Sequence, residues 1–112
     1  MSIITKHVEE PWFSFIKNGK KSIEGRLNKG SFQNLIKDDI VIWKNNNKSF
    51  KTKIVSIHHH KNFTTMIKQH RLKNVLPGVK TIADGLNIYS QYYSNADVLK
   101  YGVLAIKVKV IH

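Results

Sequence analysis

The chain has 112 residues, the usual length of one domain, and 41% of them are hydrophobic, which is enough for a core without cross-links. It contains no cysteine, which excludes disulfides, zinc–thiolate and iron–sulfur sites and thiol nucleophiles. Its 19 basic and 7 acidic residues give a formal net charge of +12, so a polyanion such as nucleic acid is the expected partner.

The basic charge has a second explanation. Only Arg26 and Arg71 are arginines, so a coding bias toward lysine could produce part of the excess without selection for binding. No apolar run reaches the roughly 18 residues needed to span a bilayer, and the first ten residues lack the apolar stretch of a secretion signal. We therefore expect a soluble, intracellular and cytoplasmic protein with a single domain over residues 1–112. We also expect a monomer that has no cofactor and no membrane contact.

The first elements follow from local patterns. Residues 2–8 are typical of a short strand, and Pro11 after Glu10 predicts the start of a helix that Gly19 ends. Residues 22–27 alternate between apolar and polar, which predicts a second strand. The period of two places Ile23, Gly25 and Leu27 on one face and Ser22, Glu24 and Arg26 on the other.

The later elements complete a mixed fold. Residues 39–43 and 50–58 predict a hairpin around Asn45-Asn46-Asn47. Asn62 or Thr64 can cap a helix that runs to about residue 70, and Thr81 can cap another. Residues 103–111 predict a closing strand. Strands with helices inserted between them, in a chain this short, favour an α+β fold with a mostly antiparallel sheet.

Residues 19–26, with the sequence GKKSIEGR, match the pattern G-x-K-x-x-E-x-R and resemble the ASCH domain family of the PUA-like superfamily. Pro11-Trp12, residues 36–42 and residues 101–106 resemble other segments of the same family. The resemblance implies a PUA-like β-barrel of about five to six mostly antiparallel strands with flanking helices. It also implies a cleft beside the first helix that binds RNA or a modified nucleoside.

We expect Lys20, Lys21, Glu24 and Arg26 to form this basic cleft, because Glu24 and Arg26 share a strand face and the lysines approach from the preceding turn. Such a cleft can clamp a phosphate and accept a base amino group, and Trp12 could stack on a base. Single-stranded nucleic acid is a better fit than duplex. The alternative is structural, with Glu24 and Arg26 pairing only to pin the helix to the sheet and Trp12 packing in the core.

Whether the protein is an enzyme stays open. The resemblance includes amidohydrolases that act on N4-acetylcytidine, with a threonine nucleophile where this chain has Glu24 and a lysine base where it has Lys21. Ser22 occupies another position, and residues 63–77 contain no Asp or Glu to support the reaction. A ribonuclease could instead use Lys21 and Glu24 as acid and base.

Histidines and tyrosines offer two weaker candidates. His58 and His60 would share a strand face, but a zinc site needs three or four ligands, so we expect strand-end residues that touch phosphate when protonated, and no metal site. Tyr89, with Tyr92 or Tyr93, could stack on a base, although at helical spacing such residues more often pack in the core.

Overall fold

Five β-strands form one curled sheet that stops short of a closed barrel. The computed structural model describes all 112 residues. The strands are β1 (Ile3–His7), β2 (Ile23–Leu27), β3 (Ile40–Asn45), β4 (Lys48–His60) and β5 (Val103–Ile111). Their order is β1-β3-β4-β5-β2, so β1 and β2 are the two edges. Only the β1–β3 pair is parallel, which confirms the expected mostly antiparallel α+β fold.

The curl originates in β4, which is 13 residues long and pairs with both β3 and β5. Its register with β5 shifts between Ile54 and Ser56. An extra residue at such a bulge bends the strand and increases its twist, so the two halves of β4 run in different directions. The sheet therefore wraps around its interior and brings its two edge strands toward each other.

Helices cover the sheet on both sides. They are α1 (Trp12–Lys17), α2 (Phe63–His70), α3 (Leu72–Val75), α4 (Ile82–Ser90) and α5 (Asn95–Tyr101), with a 3-10 helix at Gly30–Asn34. The Asn62 side chain accepts a hydrogen bond from the Thr65 amide, and that of Thr81 accepts one from the Asp84 amide, which confirms both predicted caps. None of these helices has the length and hydropathy to cross a bilayer.

Three short helices were not predicted. None of the residues of α5 is completely buried, so its sequence lacks the periodic apolar pattern that identifies a helix. α3 has only four residues, and the 3-10 helix has five. Sequence periodicity cannot identify a helix of one turn, because at least two turns are needed to define an apolar face.

The sheet is buried on both faces, each against its own hydrophobic cluster. Along β5, Leu104 and Ile106 point into the cluster inside the curl, whereas Val103 and Ala105 point toward α2 and α4. Glu24 lies opposite Ile106 and Arg26 opposite Leu104 in the β2–β5 pairing. Cross-strand partners share a face, so the polar face predicted for β2 points into the curl.

A side chain bridges the two edges of the sheet. The Arg26 guanidinium on β2 donates a hydrogen bond of 2.8 Å to the carbonyl oxygen of His7, the last residue of β1. The same guanidinium lies 5.3 Å from the ring centroids of both Phe32 and Trp43. Arg26 thus closes the gap where backbone pairing is missing, and the candidate site opens beside it.

Candidate functional site

A pocket of about 150 Å³ opens at the gap between β1 and β2. Strand β2 forms its floor. The aromatic walls come from α1, α4 and the turn after α4, and the end of β1 forms the remaining side. Its lining comprises His7, Val8, Glu9, Trp12, Lys21, Glu24, Gly25, Arg26, Leu76, Ile88, Tyr89, Tyr92 and Tyr93. The pocket combines charged groups at its floor with aromatic rings above them, and this pairing sets what it can bind.

Lys21 is the most buried charged residue, with 1% of its surface exposed. Its Nζ donates hydrogen bonds to the carbonyl oxygens of Ile23, at 2.8 Å, and of Val75, and it lies 3.4 Å from Glu24 Oε1. An ammonium has three N–H donors, and each one has a partner here. Lys21 therefore ties the end of α3 to the start of β2 and is held as a donor.

Glu24 is shared between two cations. Its Oε2 accepts hydrogen bonds from Arg26 Nε at 3.2 Å and from an Arg26 terminal nitrogen at 3.0 Å, while Oε1 faces Lys21. A carboxylate has about four lone-pair sites, so Glu24 keeps capacity for one further donor. Two cations surround one anion, so the cluster keeps one uncompensated positive charge.

Burial and charge oppose each other in this cluster. Burial by itself would raise the pKa of the Glu24 carboxyl, but the charges of Lys21 and Arg26 outweigh it and hold that pKa below its usual value. Burial lowers the pKa of the Lys21 ammonium, and Glu24 offsets this only in part. Charge outweighs burial at Glu24 but not at Lys21, because the carboxylate has two cationic partners and Lys21 has only one anionic partner.

Tyr89 contributes an unused polar group. Its ring stacks on Phe63 at a centroid distance of 4.0 Å, and its hydroxyl is buried without any hydrogen-bond partner. Burial and the nearby Glu24 charge raise the pKa of the Tyr89 phenol well above its usual range, so the hydroxyl stays protonated. A buried hydroxyl without a partner is costly, and this one lines the pocket, where a ligand can supply the missing bond.

Gly25 provides the space for that hydroxyl. A Cβ atom added to Gly25 would lie 2.9 Å from the Tyr89 oxygen and 3.1 Å from the Met66 side chain. Both distances are shorter than ordinary van der Waals contact. The absence of a side chain at the centre of β2 therefore lets the Tyr89 side chain on α4 pack directly against the strand.

The other aromatic residues form the walls. Trp12 is half-buried, contacts both hydrophobic clusters, and has its ring centroid 5.6 Å from Lys21 Nζ. Tyr92 is exposed and donates a hydrogen bond of 2.7 Å to Glu9, which joins the turn after α4 to the segment after β1. Burial raises the pKa of the Tyr93 phenol. Flat rings on two sides make the pocket suited to a planar ligand.

The structure brings together four of the five residues predicted for the cleft: Trp12, Lys21, Glu24 and Arg26. Lys20 is exposed and does not line the pocket, because it lies in the turn before β2 and Lys21 alone turns inward. Of the charged trio, Lys21, Glu24 and Arg26, the first two are buried and Arg26 is half-buried. The trio lies at the floor of a small pocket and does not form an open groove.

Sequence reasoning considered Tyr89, Tyr92 and Tyr93 as core packing or a stacking surface, and Tyr89 fits both descriptions. It did not place them beside Glu24, because the only signal was their helical spacing.

His58, His59 and His60 are the last residues of β4, as predicted, and His58 and His59 are exposed. His60 Nε2 lies 2.9 Å from His70 Nε2, and the His58 ring centroid lies 5.3 Å from that of His70. No set of three or more His, Cys, Asp or Glu side chains is placed to hold a metal ion.

The chain is similar to proteins of known structure over its whole length. The crystal structure of hypothetical protein PH0355 has a TM-score of 0.91 and 35% identity, covering 99% of this chain and 100% of that one. The solution NMR structure of protein PF0455 from Pyrococcus furiosus has a TM-score of 0.82 and 30% identity, covering 100% and 99%. No functionally curated protein matches the sequence. The family model described as "ASCH domain" matches residues 7–112, so the chain belongs to the ASCH domain family.

Proposed function

We propose that this protein binds RNA by taking one base, or a free modified nucleoside, into the pocket above Glu24. The observation that carries the proposal is a carboxylate with spare acceptor capacity and an unpartnered Tyr89 hydroxyl inside an aromatic-walled pocket. Membership of the ASCH family supports an interaction with nucleic acid in general. A free nucleoside and a base on a strand present the same planar group to this pocket.

The size of the pocket favours a single base. At about 150 Å³ it is smaller than the roughly 300–1,000 Å³ of sites for drug-sized ligands. A base inside it would lie against Trp12 or against the tyrosines on α4 and just after it, and stacking on an aromatic ring contributes about 1–3 kcal/mol per base. A base must leave a duplex stack to enter, so single-stranded RNA is the favoured partner.

The polar groups favour a base that carries an amino group. Glu24 can accept a hydrogen bond from such a group, as carboxylates do from the cytosine amino group. The protonated Tyr89 hydroxyl can donate to a ring nitrogen or carbonyl oxygen next to it. Cytosine and adenine offer this donor and acceptor side by side, whereas uracil presents a carbonyl oxygen in place of the amino group. We therefore expect cytidine to bind more tightly than uridine.

The net charge of +12 supports affinity for the RNA backbone. Each phosphate that a lysine or arginine neutralises releases counterions, so affinity should fall steeply with salt. The charged trio supplies little of this effect because Lys21 and Arg26 are paired inside the protein. Exposed lysines, including Lys20, are left to contact phosphate.

The test compares the binding of nucleosides and short RNAs by calorimetry and by tryptophan fluorescence. Glu24→Gln keeps the shape of residue 24 and removes its charge, so cytidine affinity should fall about tenfold, the loss of one charge-assisted hydrogen bond. Asp38→Asn is the matched control, since Asp38 pairs with Lys53 on the exposed surface. Lys20→Ala tests whether that lysine contacts RNA.

Equal affinity for cytidine and uridine, with a flat dependence of RNA affinity on salt, would contradict the proposal. Circular dichroism of each variant confirms that it is folded. Tyr89→Phe provides a second variant in the pocket should Glu24→Gln fail to fold.

Hydrolysis of RNA or of N4-acetylcytidine is the second candidate. The observation in its favour is that burial lowers the pKa of Lys21 beside Glu24, an arrangement used in acid–base catalysis. Against it, all three donors of Lys21 are engaged, two of them by backbone carbonyls. Incubating the protein with each substrate, with and without Glu24→Ala, separates the two functions. Product that depends on Glu24 would establish an enzyme.

A further inference from the structure

A second pocket, of about 310 Å³, lies where the end of α2 and the start of α3 meet β4 and β5. Its lining is polar and basic, and includes His58, His70, Arg71 and Lys107. Ser22 and Ile23 also border it, so it lies beside the stretch of β2 that precedes the floor of the aromatic-walled pocket. The two pockets share no lining residue.

This basic pocket has no negative charge to balance it. No Asp or Glu lines it, and none occurs in residues 40–83 or 98–112, which contain β4, α2, α3 and β5. Neither Arg71 nor Lys107 takes part in an ion pair. Unpaired cations that converge on a concave surface concentrate positive potential there and attract an anion.

Arg71 holds its position at a conformational cost. Its φ of 73° and ψ of 136° lie in a region that side-chain-bearing residues rarely adopt. Its amide donates to the Ile67 carbonyl at 2.8 Å, and its carbonyl accepts from the Asn74 amide at 3.0 Å, so both neighbouring helices hold the junction in place. Such strain concentrates at functional positions. A guanidinium is also the side chain best shaped to grip a phosphate.

The histidines near the basic pocket are groups whose protonation a bound anion would favour. Burial lowers the pKa of His70, as do the charges of His60 and His58 on β4 and of Lys107 on β5. Burial lowers the pKa of His60 too, with contributions from its neighbours His58 and His59. Every charged group that acts on this pair is cationic, so a bound phosphate would reverse the shift and favour protonation.

We infer that the basic pocket binds a phosphate of the RNA strand whose base occupies the aromatic-walled pocket. This inference rests on the proposed function and adds where the sugar-phosphate backbone of the RNA would run on the protein surface. Ser22 and Glu24 are about 7 Å apart along an extended strand, at roughly 3.3 Å per residue. The distance between the two pockets along this strand is therefore short enough for one single-stranded RNA to occupy both.

The test measures the affinity of a labelled single-stranded RNA across a salt series. Arg71→Gly removes the guanidinium with a residue that tolerates the backbone conformation, and Lys107→Ala removes the second cation. Each should lower the slope of log affinity against log salt by about 0.7 to 1 and weaken binding roughly tenfold. Lys37→Ala is the control, because Lys37 is exposed and lines neither pocket.

Three further probes separate this inference from the function on which it rests: cytidine, a cytidine trinucleotide and inorganic phosphate. In support, the trinucleotide would bind more tightly than cytidine, Arg71→Gly would reduce this gain, and the pKa of His70 measured by NMR would rise with the trinucleotide bound. RNA binding with the same salt slope in Arg71→Gly, Lys107→Ala and Lys37→Ala would overturn the phosphate site and leave the base pocket intact. Absence of both RNA and cytidine binding would overturn the proposed function. Binding of inorganic phosphate alone would overturn the assignment to RNA.

Discussion

Replacing Tyr89 by Phe should stabilise the folded protein and weaken base binding at the same time. The Tyr89 hydroxyl is buried without a partner, which costs about 1–3 kcal/mol relative to its hydration in the unfolded chain. Phenylalanine keeps the stacking of the ring on Phe63. The space left by one oxygen is smaller than a methyl group and costs less than about 1 kcal/mol.

The net gain in the free energy of unfolding is therefore about 1 kcal/mol, which raises Tm by roughly 4 °C in a domain of this size. Urea denaturation of the wild type and Tyr89→Phe measures it directly, with an unchanged slope showing that the denatured state is unaffected. Cytidine titrations of the same samples should show about fivefold weaker binding, the loss of one neutral hydrogen bond of about 1 kcal/mol.

Tyr92→Phe is the control, because the Tyr92 hydroxyl already donates to Glu9 and its loss should slightly destabilise the protein. The reasoning would be refuted if Tyr89→Phe lowered the stability by more than Tyr92→Phe does, since the Tyr89 hydroxyl would then have a partner in the folded state. Unchanged cytidine affinity in Tyr89→Phe would show that the hydroxyl does not contact the base.

Three further outcomes follow from the charged trio and the floor of the pocket. Glu24→Gln leaves the Lys21 charge buried without its carboxylate, so it should lower the free energy of unfolding, measured by urea denaturation, by about 3–5 kcal/mol. The exposed control Asp38→Asn should lower it by about 0–1 kcal/mol. Similar losses in both variants would contradict the importance of the buried pair. The folded-state pKa of Glu24 lies below its usual value of 4.5, so the unfolded carboxyl takes up a proton first. Stability should therefore fall as the pH drops through 4.5 toward the folded-state pKa, and thermal melts of Glu24→Gln should show a shallower decline. Gly25→Ala should lower the free energy of unfolding by about 1–3 kcal/mol through overpacking. It should also abolish cytidine binding, because the new Cβ atom would displace the Tyr89 hydroxyl. Normal cytidine binding by this variant would show that the pocket tolerates the displacement.

Much of the fold could be predicted because its signals are local. The alternation at residues 22–27 placed Glu24 and Arg26 on one face of a strand, and the structure keeps them there. The side chains of Asn62 and Thr81 cap helices by accepting hydrogen bonds from the amides of residues three positions later in the chain. Both partners of such a bond lie in one short stretch of sequence, so the cap can be predicted from it. The motif at residues 19–26 identified the family, and the match over residues 7–112 confirms it.

The direction of the polar face could not be predicted in the same way. Alternation assigns residues to two faces and does not say which face is buried. The sequence pattern predicted a basic cleft along this face, but β2 is an edge strand of a curled sheet with hydrophobic clusters on both sides. Lys20 and Lys21 are neighbours in the chain, yet only Lys21 turns inward.

Local patterns in the sequence were sufficient to predict the strands, two helix caps, the charged trio and the family. The folded chain was needed to show that Lys21 bonds to the Val75 carbonyl, that the Tyr89 hydroxyl lies over Gly25 without a partner, and that Arg71 lies in a basic pocket. Each of these depends on how α2, α3 and α4 pack against the sheet. Packing joins residues that are far apart in the chain, and a local pattern carries no information about such contacts.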